Sequence, residues 1–193
     1  MNIIITAVGG QGALFASKVI GCCAMNAGYE VKASEVHGMS QRGGSVISHL
    51  KYGKHIASPI VEEGTADLLL SFELLEAARY VSFVKPGGSI IVNNQRINPL
   101  PVLTAQAVYP ENIPEMLATL NVTVQCVDAA VLADEVGSIR GVNAVMLGCM
   151  AQQSEFTYEQ WIDALTSVSP QKFIETNTAA FNKGFTAKAC AAV

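Results

Sequence analysis

Apolar residues in this chain fall first into short unbroken runs set off by glycines, and later into longer stretches with a helical period. Residues 2–8, NIIITAV, are a continuous β-branched run, the pattern of a strand buried on both faces of a parallel sheet. GGQG (9–12) interrupts it. ALFASKVIGCCAMNAG then places Leu14, Val19, Cys22 and Met25 at helical spacing, with Gly28 positioned as a C-cap. YEVKAS (29–34) predicts a second strand. In SVISHLKYG (45–53), Val46, Ser48, Leu50 and Tyr52 alternate with Ile47, His49 and Lys51. That predicts a half-exposed strand, antiparallel or at the sheet edge.

Further along, ADLLLSF (66–72) predicts a buried strand and ELLEAARYVSFV (73–84) a helix. KPGG (85–88) has turn chemistry, and SIIVNN (89–94) is another strand. QRINPLPVL (95–103) carries prolines and predicts an irregular crossing. TAQAVY (104–109), a helix near 112–120 and VTVQCVD (122–128) continue the strand–helix alternation. From Ala129 the pattern is helical. In the last helix Phe173, Asn177, Phe181 and Phe185 fall four apart, with Ile174 and Ala180 widening the stripe into a core or subunit contact. The expected fold is α/β, a three-layer α/β/α arrangement with a mostly parallel sheet and a helical C-terminal part. We read residues 1–193 as one domain, with a core to about 150 and a helical tail over 151–193.

Composition narrows the function. Half of the residues are hydrophobic and only 15% are charged, against roughly 25% in soluble domains, which suggests surface hidden in a subunit interface. Net charge is −4 with no basic run, so nucleic acid has no electrostatic footprint here. The apolar run at 3–8 is too short for a signal peptide, Lys18 interrupts the next, and nothing spans a membrane. The five cysteines (Cys22, Cys23, Cys126, Cys149, Cys190) lack the spacing of a cluster or zinc site. Each reads as a small buried apolar residue. Their odd number and the absence of a leader point to a reducing, cytoplasmic setting. No metal ligand set emerges, since His37, His49 and His55 have no ligand spacing.

Two segments concentrate the candidate chemistry. In VGGQGALFASK a strand runs into Gly9, Gly10 and Gly12 and then into a helix. There, unpaired amides and the positive end of the helix dipole favour an anion, and Gln11 supplies an amide. The dinucleotide fingerprint is met only in part: Gly10 and Gly12 fit, Phe15 occupies the third position, and Glu35 stands where a ribose-binding acid is expected. A phosphate site, a tight turn that binds nothing, and an NAD or NADP site all remain open. The second segment, EVHGMSQRGG (35–44), holds Glu35, His37, Gly38, Ser40, Gln41, Arg42, Gly43 and Gly44. It leaves the second strand at the same carboxyl rim, where open α/β sheets bind ligands. Arg42 offers a planar fork for phosphate or carboxylate. Glu35 orienting His37 as a general base is a further reading, and a loop contacting a partner chain is the plainer one. No catalytic residue is assigned.

These residues carry a resemblance. GGQG after an N-terminal strand, EVHGMSQRGGSVISHLKYG, SPIVEEGTADLLLSFELLEAARY and KPGGSIIVN together closely resemble the gamma-type domain of the 2-oxoacid:ferredoxin oxidoreductases, in particular the small subunit of the indolepyruvate type. The resemblance covers residues 1 to about 150. It implies a subunit of a complex that decarboxylates a 2-oxoacid on thiamine diphosphate, captures the acyl group on coenzyme A and reduces ferredoxin. It implies that thiamine diphosphate, magnesium and the iron–sulfur clusters belong to a large alpha subunit, and that this chain is inactive alone. It makes Gly9, Gly10, Gln11, Gly12, Glu35, His37, Gly38, Ser40, Gln41, Arg42, Gly43 and Gly44 the motif positions, facing coenzyme A or the partner chain. A free-standing NAD(P)-dependent reductase and a purely structural subunit are the alternatives.

Overall fold

The computed structural model describes residues 1–38 and 43–188. In chain order the elements are β1 (Asn2–Val8), α1 (Ala13–Asn26), β2 (Glu30–His37), β3 (Ser45–Gly53), β4 (Ala66–Ser71), α2 (Leu74–Tyr80), β5 (Val84–Asn93), α3 (Leu100–Leu103), α4 (Ile113–Ala118), β6 (Thr123–Val127), α5 (Ala129–Asp134), α6 (Val142–Ala151), α7 (Tyr158–Val168) and α8 (Ile174–Thr186). Six strands form one sheet in the order β2-β3-β1-β4-β5-β6. The pairs β1–β4, β4–β5 and β5–β6 are parallel, while β3 runs antiparallel to both β1 and β2. All strands but β3 therefore point the same way, and the sheet is mostly parallel as its apolar runs predict.

Alternation along the strands divides the core. Ile3, Ile5 and Ala7 face a cluster built with α1, α5, α6, α7 and α8. Ile4, Leu69, Ile90 and Val92 face a second cluster with Ala77 of α2 and Ile113 and Leu117 of α4. β1 is covered on both sides and needs a continuous apolar run; Ile3, Ile4 and Ile5 are fully buried. The three-layer expectation holds. The helical C-terminal part shares the first cluster with α1. The phenylalanine stripe of α8 is a core feature: Phe181 is fully buried and stacks on Phe185 at 6.1 Å, while Asn177 donates to Ser169 Oγ at 2.9 Å.

Three local expectations are corrected. β3 is antiparallel but internal and mostly buried, because β2 takes the edge and shields it. KPGG is not a turn before β5 but lies inside it. Gly87 (φ 75) donates to Asn121 O at 2.7 Å, and the β4–β5 register slips between Ala66 and Leu68, so the glycines form a bulge. Residues 104–109 form turns and coil, not a strand; they belong to the arm that leads from β5 to α4. Cys23 and Cys149 are buried, Cys22 and Cys126 only half-buried, and Cys190 lies outside the described residues. Among the described residues no helix is long and apolar enough to cross a membrane.

Polar side chains tie the carboxyl ends of the strands together. Gln11 accepts from Val8 N–H at 2.7 Å through Oε1, and its Nε2 donates to Phe72 O and Gln95 Oε1, both at 3.0 Å. One amide thus joins the ends of β1, β4 and β5. Asn93, 1% exposed, donates to Phe72 O and Gln95 Oε1 and accepts from Ala129 N–H. Glu73, also 1% exposed, caps α2 by accepting from Glu76 N–H, and holds the arm through Ile97 N–H and the Tyr109 hydroxyl. Burial and the Glu73 carboxylate beside it push the Tyr109 hydroxyl above its ordinary range. Buried polar groups persist only when paired, and here they pair with one another.

Three outcomes follow from this architecture. A methyl group at Gly184 would sit 1.9 Å from Val145 O, and one at Gly148 2.1 Å from Phe181 O, because α6 and α8 cross backbone to backbone. Gly184→Ala is expected to destabilise the chain by about 3 kcal/mol in urea unfolding. Gly28→Lys is a milder control, losing about 1 kcal/mol for a left-handed residue with open space around it. Gln11→Ala, measured on the chain without any ligand, is expected to lose about 2 kcal/mol as its hydrogen bonds go unmade. An unchanged denaturation midpoint would remove the amide from this structural role.

Candidate functional site

β1 ends at Val8 and α1 starts at Ala13, and the turn between them depends on two glycines with left-handed backbones, Gly10 (φ 104) and Gly12 (φ 90). The two differ in surroundings. A Cβ on Gly12 would lie 2.1 Å from Asn143 Nδ2, so a side chain at this N-cap position would displace the Asn143 amide as well as strain φ. A Cβ on Gly10 would meet nothing within 4 Å, so the backbone there faces open space. Phe15 N–H donates to Gly12 O at 3.0 Å, and the amides of Ala13 and Leu14 before it stand at the helix start, where no carbonyl a turn earlier completes the helical pattern.

The β2–β3 hairpin returns beside this turn. Gly9 N–H donates to Gly44 O at 2.7 Å, and Gly43 N–H donates to Gly9 O at 3.2 Å. Gly43 takes φ 76, which lets the chain double back onto the turn. Between the turn and the end of β2 lies a cleft of about 370 Å³. It is lined by Gly9, Gly10 and Gly12 of the turn, by the apolar Leu14 and Val46, and by Glu35 and His37 of β2.

The structure thus brings together Gly9, Gly10, Gly12, Glu35 and His37, with Gly43 and Gly44 at the junction. Gly38 is exposed beyond β2. Gln11, expected to offer its amide to a ligand, turns inward, and both of its donor bonds are made to the protein. Ser40, Gln41 and Arg42 lie outside the described residues. The Glu35–His37 acid–base pairing is absent from this geometry. Glu35 accepts from Ser48 Oγ at 3.3 Å, and His37 Nδ1 lies 3.1 Å from Gly38 O. The dinucleotide arrangement is also altered, since β3 stands between β1 and β2 and sets Glu35 one strand further from the glycine turn. A ligand matching this cleft needs an acceptor group for the helix amides and a hydroxyl or N–H for Glu35.

Residue-by-residue reading of the sequence missed a second set of polar groups. Glu76 is 4% exposed. Ser45, the first residue of β3, donates to Glu76 Oε2. Arg79 Nε lies 3.5 Å from Glu76 Oε1, and the Tyr80 hydroxyl lies 3.3 Å from Ser45 Oγ. Burial raises the Glu76 carboxyl above its usual range, assisted by the Glu73 charge and opposed by Ser45 and Arg79. The available signal was a carboxylate three residues into a helix from another carboxylate, which on sequence alone is an ordinary surface pattern.

The sequence matches the profile of pyruvate ferredoxin/flavodoxin oxidoreductases over residues 2–187. A curated relative, indolepyruvate oxidoreductase subunit IorB of Thermococcus kodakarensis, is 41% identical over 95% of this chain and 93% of its own length. Two solved structures share the fold. The keto/oxoacid ferredoxin oxidoreductase gamma subunit of Geobacter sulfurreducens has a TM-score of 0.71 at 24% identity, covering 95% of each chain. The 2-oxoglutarate:ferredoxin oxidoreductase of Magnetococcus marinus, described with 2-oxoglutarate, coenzyme A and succinyl-CoA bound, has a TM-score of 0.71 at 20% identity. That match covers 99% of this chain and 32% of the longer one. With a full-length profile match and a relative at this identity, the chain belongs to the pyruvate ferredoxin/flavodoxin oxidoreductase family.

Proposed function

We propose that this chain is the small subunit of an indolepyruvate:ferredoxin oxidoreductase, and that the cleft beside the glycine turn receives the phosphate-bearing part of coenzyme A. In this reading a large partner chain holds thiamine diphosphate, magnesium and the iron–sulfur clusters, and passes electrons to ferredoxin in the cytoplasm. The observation that carries the assignment is the full-length likeness to a curated indolepyruvate oxidoreductase subunit.

Cleft chemistry supports the coenzyme A part. Helix-start amides favour phosphate, and the open face of Gly10 admits a group close to the backbone. Glu35, which would repel a bare anion, suits a ligand that also brings hydroxyl or amide N–H donors, as coenzyme A does. The solved Magnetococcus marinus relative of the same fold is one described with coenzyme A. Coenzyme A supplies the thiol that accepts the acyl group. The residues here bind and orient its remote end, and none of them is assigned a bond-making step.

The chain purified alone is expected to turn over nothing. Co-expressed with the large subunit, it should support reduction of a dye dependent on indolepyruvate, coenzyme A and thiamine diphosphate. A large subunit equally active without it overturns the assignment. In the complex, Arg42→Ala is expected to raise the KM for coenzyme A more than tenfold, on the scale of one charge-assisted contact worth about 1.5 to 3 kcal/mol. An unchanged KM leaves that loop with a scaffold role only.

A further inference from the structure

The buried carboxylate of Glu76 has no place in the reading above, yet its partner Ser45 directly follows Gly44, which is paired with Gly9 of the glycine turn. Ser45 follows Gly44 without a gap and is also the register partner of Val8, the last residue of β1. Three fixed points therefore surround the return of the loop: Gly9 N–H on Gly44 O, Gly43 N–H on Gly9 O, and the Ser45 hydroxyl on Glu76. The first two are backbone bonds that involve no side chain. The third depends on side chains, and it spends a carboxylate in a nearly closed site, where a charge needs compensation.

That compensation is local. The groups facing Glu76 are Ser45, Arg79, Glu73 and, through Ser45, Tyr80. Arg79 is half-exposed and reaches only Oε1, leaving Oε2 for Ser45. Packing α2 against the sheet needs only an apolar side chain, as Ala77 one position on demonstrates by its full burial in the second core cluster. What the carboxylate adds is direction: it fixes the Ser45 hydroxyl, and through it the backbone leaving Gly43 and Gly44.

We propose that Glu76 is a positioning residue for the cleft, acting through Ser45 to hold Gly43 and Gly44 against the glycine turn. It touches no ligand. Its effect belongs to ligand affinity and to the pairing of Gly43 and Gly44 with Gly9, and not mainly to global stability. The affinity half rests on the coenzyme A reading; the pairing half does not.

The test uses Glu76→Leu, Glu76→Gln, Ser45→Ala and the Glu76→Leu/Ser45→Ala double variant, each in the complex with the large subunit. Amide exchange at Gly43 and Gly9 is expected to speed up about tenfold in Glu76→Leu and in Ser45→Ala, on the scale of one lost hydrogen bond. The double variant should be no worse than either single change, because both remove the same contact. Glu76→Gln, whose amide oxygen still accepts from Ser45, should restore exchange to near the parent rate. In the same variants the KM for coenzyme A is expected to rise about fivefold to tenfold, with kcat within about twofold. Unaltered exchange at Gly43 and Gly9, additive losses in the double variant, or a lower melting temperature with both readouts unmoved would overturn the inference. Faster exchange with an unchanged KM would uphold the positioning role and overturn the coenzyme A reading of the cleft instead.

Discussion

One topological constraint governs the site: β3 runs against every other strand and is inserted between β2 and β1. A hairpin joins neighbouring antiparallel strands with a short loop, so the β2–β3 connection must return at the carboxyl end of β2. Because β1 and β2 point the same way, that is also the end where the glycine turn leads into α1. Glu35 and His37 meet the glycine turn for this reason, and the Gly9 pairing with Gly43 and Gly44 closes the junction.

The same rim shows how a parallel sheet accommodates polar groups at its boundary. Gln11, Asn93 and Glu73 satisfy backbone groups that strands leave unpaired where they end, and Gln95 Oε1 accepts from the amides of Gln11 and Asn93. In a low-dielectric setting such bonds are individually strong and costly to leave open. The network therefore fixes the strand ends relative to each other. It gives the glycine turn, whose left-handed residues bring no side-chain anchors of their own, a rigid base. It also converts Gln11 from a ligand-facing group into a strut.

Away from the rim, the helical half contributes packing. α6 and α8 approach closely enough that Gly184 O accepts from Gln152 Nε2 at 2.7 Å and from Cys149 Sγ at 3.4 Å. Glycine in the crossing is a steric requirement. The low charge has a visible counterpart as well. The arm between β5 and α4 presents Leu100 at 72%, Leu103 at 68% and Val108 at 87% exposure.

Much of the fold was legible in the linear pattern. The runs at 2–8 and 66–71, the helical periods of α1 and α8, and the antiparallel sense of 45–53 follow from burial and side-chain geometry that act locally. So does the suspicion that two glycine-rich segments share a rim. The bulge at KPGG and the internal position of β3 were not legible, because turn-forming residues and alternation describe a segment without saying what lies beside it. Nor were the inward rotation of Gln11 and the burial of Glu76. Each depends on partners 31 to 84 residues away in the chain, Ser45 in one case and Phe72 and Gln95 in the other. Local chemistry decides which groups are available to bind. Which of them face a ligand and which hold the frame is settled only when distant strand ends are brought to the same edge.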